Sequence, residues 1–183
     1  MLKYILLGFL KYRAMTGYEL KSLIDESTMH FWHAYHSQIY TTLRKLEAEG
    51  LVSSELEDGD DHLTRRTYTL TEVGRAELTA WLNTPLTETV PEKEDLLVRI
   101  FFSAERPTQD VIDELRFQRQ LHQRKLEHYL QISRAPLQDF SAEERQGRAS
   151  DLPFWTSTIR FGIEYEKMYL QWLDETLEQI ERL

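Results

Sequence analysis

Apolar positions in the first 84 residues recur at helical spacing in four blocks, and the series is broken once by two short β-prone runs. Leu2, Ile5, Leu6, Phe9 and Leu10 predict a first helix. Thr16-Gly17-Tyr18-Glu19 opens a second, since Thr16 and Glu19 have the spacing of a capping box and Met15 with Leu20 that of a hydrophobic staple. The third block, Ser37 to Glu49, places Ile39, Leu43 and Leu46 in one narrow arc and fans Ser37, Gln38, Thr41, Arg44 and Lys45 across the other side. Ser37 is the expected cap, and Gly50 the residue that ends the helix in the left-handed region. Leu51 to Leu56 and Arg65 to Leu70 then read as a hairpin around the turn-forming Asp58-Gly59-Asp60-Asp61. Thr71 caps a fourth helix running through Leu82, with Val73, Leu78, Trp81 and Leu82 on its apolar side and Pro85 beyond its end.

The remainder is helical in pattern. Leu96, Leu97, Ile100 and Phe101 mark a helix starting near Glu92; Val111, Ile112 and Leu115 begin a longer one after Pro107, which continues through Leu126, Tyr129 and Leu130 to about Ser133. Residues 134 to 153, with Pro136, Gly147 and Pro153, read as a connection holding a helical turn at Ser141 to Glu144. In the last helix, Ile159, Ile163, Leu170, Leu173, Leu177 and Ile180 advance by alternating fours and threes, broken only at Glu166. Tyr165, Met168, Tyr169 and Trp172 widen the apolar arc beyond what one subunit covers, so those six residues are the expected dimer seam; a purely intramolecular helix is the alternative. The pattern predicts a mainly α protein: an N-terminal winged helix-turn-helix over 1–84 and an all-helical dimerisation domain over 92–183.

The polar face of the third helix decides between a surface helix and a reading head. It carries donors, hydroxyls and two cations with no carboxylate among its five residues, the chemistry that meets base edges and phosphates in a major groove. Arg65 and Arg66 add cations on the second strand. Met15 to Leu20, Ser37-Gln38-Ile39-Tyr40 with Leu43 and Leu46, Gly50-Leu51-Val52, and Arg66 to Thr71 with Gly74, in that order and spacing, resemble the N-terminal domain of PadR-family transcriptional regulators. Phe31-Trp32 and a helical C-terminal half of about a hundred residues resemble the branch that includes the virulence-gene activator AphA. The resemblance implies a homodimer on pseudo-palindromic double-stranded DNA, contacting it through Ser37, Gln38, Tyr40, Thr41, Arg44, Lys45, Arg65 and Arg66. Repression is the expected sense of regulation.

Charge tests that reading. The 183 residues carry a net charge of −9, but residues 1–84 account for −3 and residues 85–183 for −6, so the acid lies mostly away from the proposed head. Glu57, Asp58, Asp60 and Asp61 would repel phosphate at the wing tip, so contact is expected through the second strand. With 41% hydrophobic and 29% charged residues the chain is globular. No run is apolar for the roughly 20 residues of a membrane span, no signal peptide is evident, and the absence of cysteine excludes disulfides, thiolate catalysis and cysteine zinc sites. A cytoplasmic protein without a cofactor is expected.

Met29 to His36 places three histidines and three aromatics in eight residues. His30, His33 and His36 lack the i,i+4 pairing and nearby carboxylates of a metal site, so no metal is assigned. Packing is one reading of the cluster. Another is a pocket for a flat ligand, and since the resemblance implies that some members sense phenolic or multidrug-like compounds, Tyr18, Trp32 and Trp155 are candidates for a small aromatic effector. Glycine-rich phosphate loops, a Gly-x-Ser-x-Gly elbow and His-Glu-x-x-His are all missing, which argues against an enzyme. The competing non-catalytic reading is a helical adaptor whose winged helix binds protein, a role with no need of Arg44, Lys45, Arg65 and Arg66.

Overall fold

The computed structural model describes residues 1–28, 31–58, 64–89, 93–134 and 149–182. The chain divides into two compact units, Met1–Val90 and Pro91–Leu183.

In the first unit the order is α1 (Leu2–Leu10), β1 (Met15–Thr16), α2 (Gly17–Ser27), α3 (His36–Ala48), β2 (Val52–Asp58), β3 (Thr64–Leu70) and α4 (Glu72–Leu82). The capping box at α2 forms as its sequence requires: Glu19 N–H donates to Thr16 Oγ1 and Thr16 N–H to Glu19 Oε2. Met15 and Leu20 are both buried. The hairpin pairs Val52 with Leu70 through Asp58 with Thr64, and β1 adds a short third strand against β3 with Met15 opposite Tyr68. That third strand is too short to show in the alternation of residues. Leu6, Leu7, Leu20, Ile24, Ile39, Leu43 and Leu46 are buried to 1% exposure or less, each contributing about 1.5–3 kcal/mol of apolar burial.

Two expectations need correction here, and others fall on residues outside those described. Helix α3 begins one residue early, with Tyr35 in extended conformation at the N-cap position, so Ser37 lies inside the first turn and does not cap it. Val73 and Leu82 are exposed; α4 joins the core through Leu78 and through Trp81, whose ring stacks on Tyr4 at 4.3 Å. The wing-tip residues Gly59, Asp60 and Asp61 lie outside the described residues, as do His30, Glu92 and Ser141 to Glu144.

The second unit holds α5 (Asp95–Phe101), a short 3-10 turn at Ser103–Glu105, α6 (Thr108–Arg134) and α7 (Leu152–Ile180). Helix α7 lies along α6. Leu96, Val111, Ile112, Leu115, Tyr169, Leu173 and Leu177 form the core between them, with Leu115 and Leu173 fully buried, while Leu97 and Phe101 of α5 are exposed. The seam of α7 is thus filled within the chain: Ile163, Leu170, Leu173 and Leu177 are buried and Ile159 and Ile180 half-buried before any partner is added. Much of the expected dimer seam is therefore occupied within the chain, and Ile159 and Ile180 keep part of their surface. The interruption at Glu166 also finds its cause. Its carboxylate is buried and meets His122 Nδ1 of α6 at 2.5 Å, and the imidazole stacks on Tyr169 at 3.8 Å. Burial, with Glu94 second, pushes the Tyr169 hydroxyl well above its ordinary range.

Candidate nucleic-acid interface

The geometry of α3 follows from its neighbours. Its apolar arc is sealed against α1, α2 and the sheet, which leaves Ser37, Gln38, Tyr40, Thr41, Arg44 and Lys45 all exposed on the outer side. Gly17, the first residue of α2, allows the close approach of the two helices: a Cβ there would sit 2.5 Å from the Tyr40 ring. Among the described residues, Arg44 and Lys45 form no ion pair and stand free to meet phosphate.

The helix ends at Gly50, whose φ of 70° lies in the left-handed region favouring glycine. Leu51 N–H then donates back to Leu46, and the Leu51 carbonyl accepts from both the N–H and the hydroxyl of Thr71. The Thr71 hydroxyl in turn accepts from Gly74 N–H and so caps α4. A Cβ at Gly74 would fall 2.0 Å from the Leu51 carbonyl oxygen, so only glycine fits there. These contacts fasten the foot of the hairpin to the end of α3.

Arg65 and Arg66 are exposed on β3. Arg66 is not free. Its guanidinium donates to Glu47 Oε2 at 3.3 Å and to Ser54 Oγ at 3.4 Å, and Ser54 Oγ donates to Glu47 Oε1. The sequence placed Glu47 toward the far end of α3 but gave no sign of this latch across the hairpin. Behind it, Tyr68 is buried, and that burial raises its hydroxyl pKa against the opposing charge of Arg66.

The ligand candidates are distributed. Trp32 is half-buried against the N-terminal core and lines a groove of about 410 Å³ with Leu2, His33, Ser37, Gln38, Thr41 and Thr42. Its indole N–H is buried and has no hydrogen-bond partner among the described residues. Tyr18 is 70% exposed and stacks on His36 at 6.4 Å, while Trp155 is a half-buried residue of α7 in the second unit. His33 and His36 are exposed, and among the described residues no three His, Cys, Asp or Glu side chains gather as a metal would need.

Known proteins share both halves of this arrangement. Residues 6–80 match the transcriptional regulator PadR-like family, and residues 92–181 match the virulence activator alpha C-terminal family. The negative transcriptional regulator PadR of Bacillus subtilis is 34% identical over 191 aligned residues, covering 99% of this chain and 98% of the relative. The crystal structure of that protein with operator DNA superposes with a TM-score of 0.79 at 30% identity, over 98% of both chains. Its complex with p-coumaric acid gives 0.72, also at 30% identity and 98% of both. The Vibrio cholerae virulence activator AphA, 24% identical, shares the fold over 100% of this chain and 99% of its own, with a TM-score of 0.70. The chain is a member of the PadR-like family of transcriptional regulators.

Proposed function

We propose that this protein is a cytoplasmic, non-catalytic transcriptional repressor that binds a pseudo-palindromic operator as a homodimer. The observation that carries the proposal is the outer face of α3, where Ser37, Gln38, Tyr40, Thr41, Arg44 and Lys45 stand exposed with Arg65 and Arg66 on the neighbouring strand. Amides and hydroxyls near the helix start suit base edges; cations further along suit phosphate. An adaptor surface would not need four cations in this chain of net charge −9. The name of the Bacillus relative and its structure with operator DNA support the same reading.

The dimer is assigned to α7, on a different face from the filled seam. Phe154, Phe161 and Met168 recur every seven residues along the helix and are 72%, 62% and 53% exposed. A partner helix would cover that stripe. A flat aromatic effector near Trp32 and Tyr18, with Trp155 as a further candidate, completes the proposal, supported by the p-coumaric acid complex of the relative.

Selection of bound duplexes from a random DNA pool tests the proposal. Enrichment of an inverted repeat with half-sites about one helical turn apart is the expected result; binding that stays indifferent to sequence overturns it. Tryptophan fluorescence during titration with phenolic acids tests the effector, and a flat response with unchanged DNA binding removes it.

A further inference from the structure

The first turn of α3 holds its amide side chain in one orientation. Gln38 occupies the third helical position, and its Oε1 accepts the N–H of Tyr35, the residue preceding the helix, at 3.0 Å. The Tyr35 carbonyl accepts from Gln38 and Ile39 N–H at 3.0 and 3.1 Å, closing the turn beneath it. The Gln38 side-chain carbonyl thus satisfies the backbone donor of the residue that precedes the helix. Its Nε2, carrying two donor hydrogens, is the group left to face outward from an exposed residue.

Glutamine in a major groove ordinarily pairs with adenine, because its oxygen accepts from N6 while its nitrogen donates to N7. Here the bond from Tyr35 N–H takes one of the oxygen's two acceptor sites and holds it toward the backbone before the helix, away from the side on which N6 would have to meet it. We infer that Gln38 reads DNA as a donor only, with its amide nitrogen aimed at adjacent acceptors, and so selects guanine, which presents O6 and N7 side by side. Thymine, with O4 alone, ranks second; cytosine presents a donor and is rejected; adenine sets its N6 donor beside N7 and loses the second contact. The cap thereby makes Gln38 a specificity-determining residue with a polarity that its residue type alone does not give. The inference rests on the DNA-binding reading above.

Selection from a random duplex pool with the wild-type chain, Gln38→Ala and Gln38→Glu tests it. Gln38→Glu keeps an oxygen for the Tyr35 N–H and removes both donors; it should melt like the wild type, whereas Gln38→Ala loses the cap and melts lower. At the half-site position whose preference disappears in Gln38→Ala, the wild type should favour guanine about tenfold or more. Gln38→Glu should reverse that position toward cytosine. Adenine at that position in the wild-type pool overturns the inference, as does a Gln38→Ala pool with unchanged preference at every position. A wild-type pool with no enrichment overturns the DNA-binding reading itself, a result distinct from either.

Discussion

If Arg66 meets phosphate as proposed, its ion pair with Glu47 competes with that contact, and releasing it should tighten binding. The guanidinium sits 3.3 Å from Glu47 Oε2, with the two side chains 45% and 33% exposed, so the pair is a partly screened surface bridge. Such bridges stabilise by about 0.2–1 kcal/mol. Freeing Arg66 for phosphate by Glu47→Gln therefore raises affinity by roughly 1.4- to 5-fold per subunit, or roughly 2- to 30-fold for a dimer using both. One additional phosphate contact per subunit also steepens the logarithmic salt dependence by about 0.9 each, about 1.8 for the dimer. The gain measured at low salt should then shrink by about an order of magnitude over a fourfold rise in salt. Fluorescence anisotropy with operator and random duplexes across a salt series reads both quantities, and the gain should be equal on the two. If Glu47→Gln leaves affinity and slope untouched while Arg66→Ala flattens the slope, Arg66 already reaches phosphate with the latch closed and the reasoning fails.

Other outcomes follow from the packing. Leu173→Ala should destabilise the chain by about 2–5 kcal/mol in denaturant titration, because Leu173 is fully buried inside one chain, whereas Phe161→Glu with Met168→Glu should give a folded monomer by sedimentation equilibrium. A dimer that survives the double change places the interface elsewhere. Glu166→Leu should cost about 1–3 kcal/mol by leaving the buried His122 without its partner, while adding His122→Phe should recover most of it; an additive double-mutant cycle would refute that coupling. Burial works against ionisation of Glu19, yet hydrogen bonds from Thr16 N–H and Arg13 prevail and hold its carboxyl below the ordinary 4.5. Its share of stability is therefore present above about that pH and lost as pH falls through the lowered value, so the deficit of Glu19→Gln in thermal melts should be largest near neutrality and fade in acid.

The N-terminal unit was legible because its signals are local. A capping box needs two residues three apart, a helix stop needs one glycine, and a buried arc needs only spacing, so Thr16, Glu19, Ile39, Leu43, Leu46 and Gly50 stand where the pattern placed them. What escaped depends on contacts distant in the chain. Met15 pairs with Tyr68 over more than fifty positions, and Glu47 meets Arg66 only after the hairpin folds back. The cap at Tyr35 escaped for a different reason: the side chain doing the capping sits inside the helix, three residues later. In α7 the periodicity marked an arc that is largely filled by α5 and α6 of the same chain, since spacing shows that an arc is buried without showing by what. Glu166 carried the available clue, as a lone carboxylate in an apolar row asks for a buried partner, and His122 supplies it.

The junction at Leu51 has an evolutionary consequence. One carbonyl ties the end of α3, the foot of the hairpin and the cap of α4 together, and the missing Cβ of Gly74 leaves no room for that tie to loosen. The angle at which the head meets a duplex is therefore inherited with a few residues on the inner side, while Ser37, Thr41 and Arg44 on the outer side bear none of that burden. A lineage can exchange those outer letters for a new operator in single steps, keeping the docking pose while the address changes.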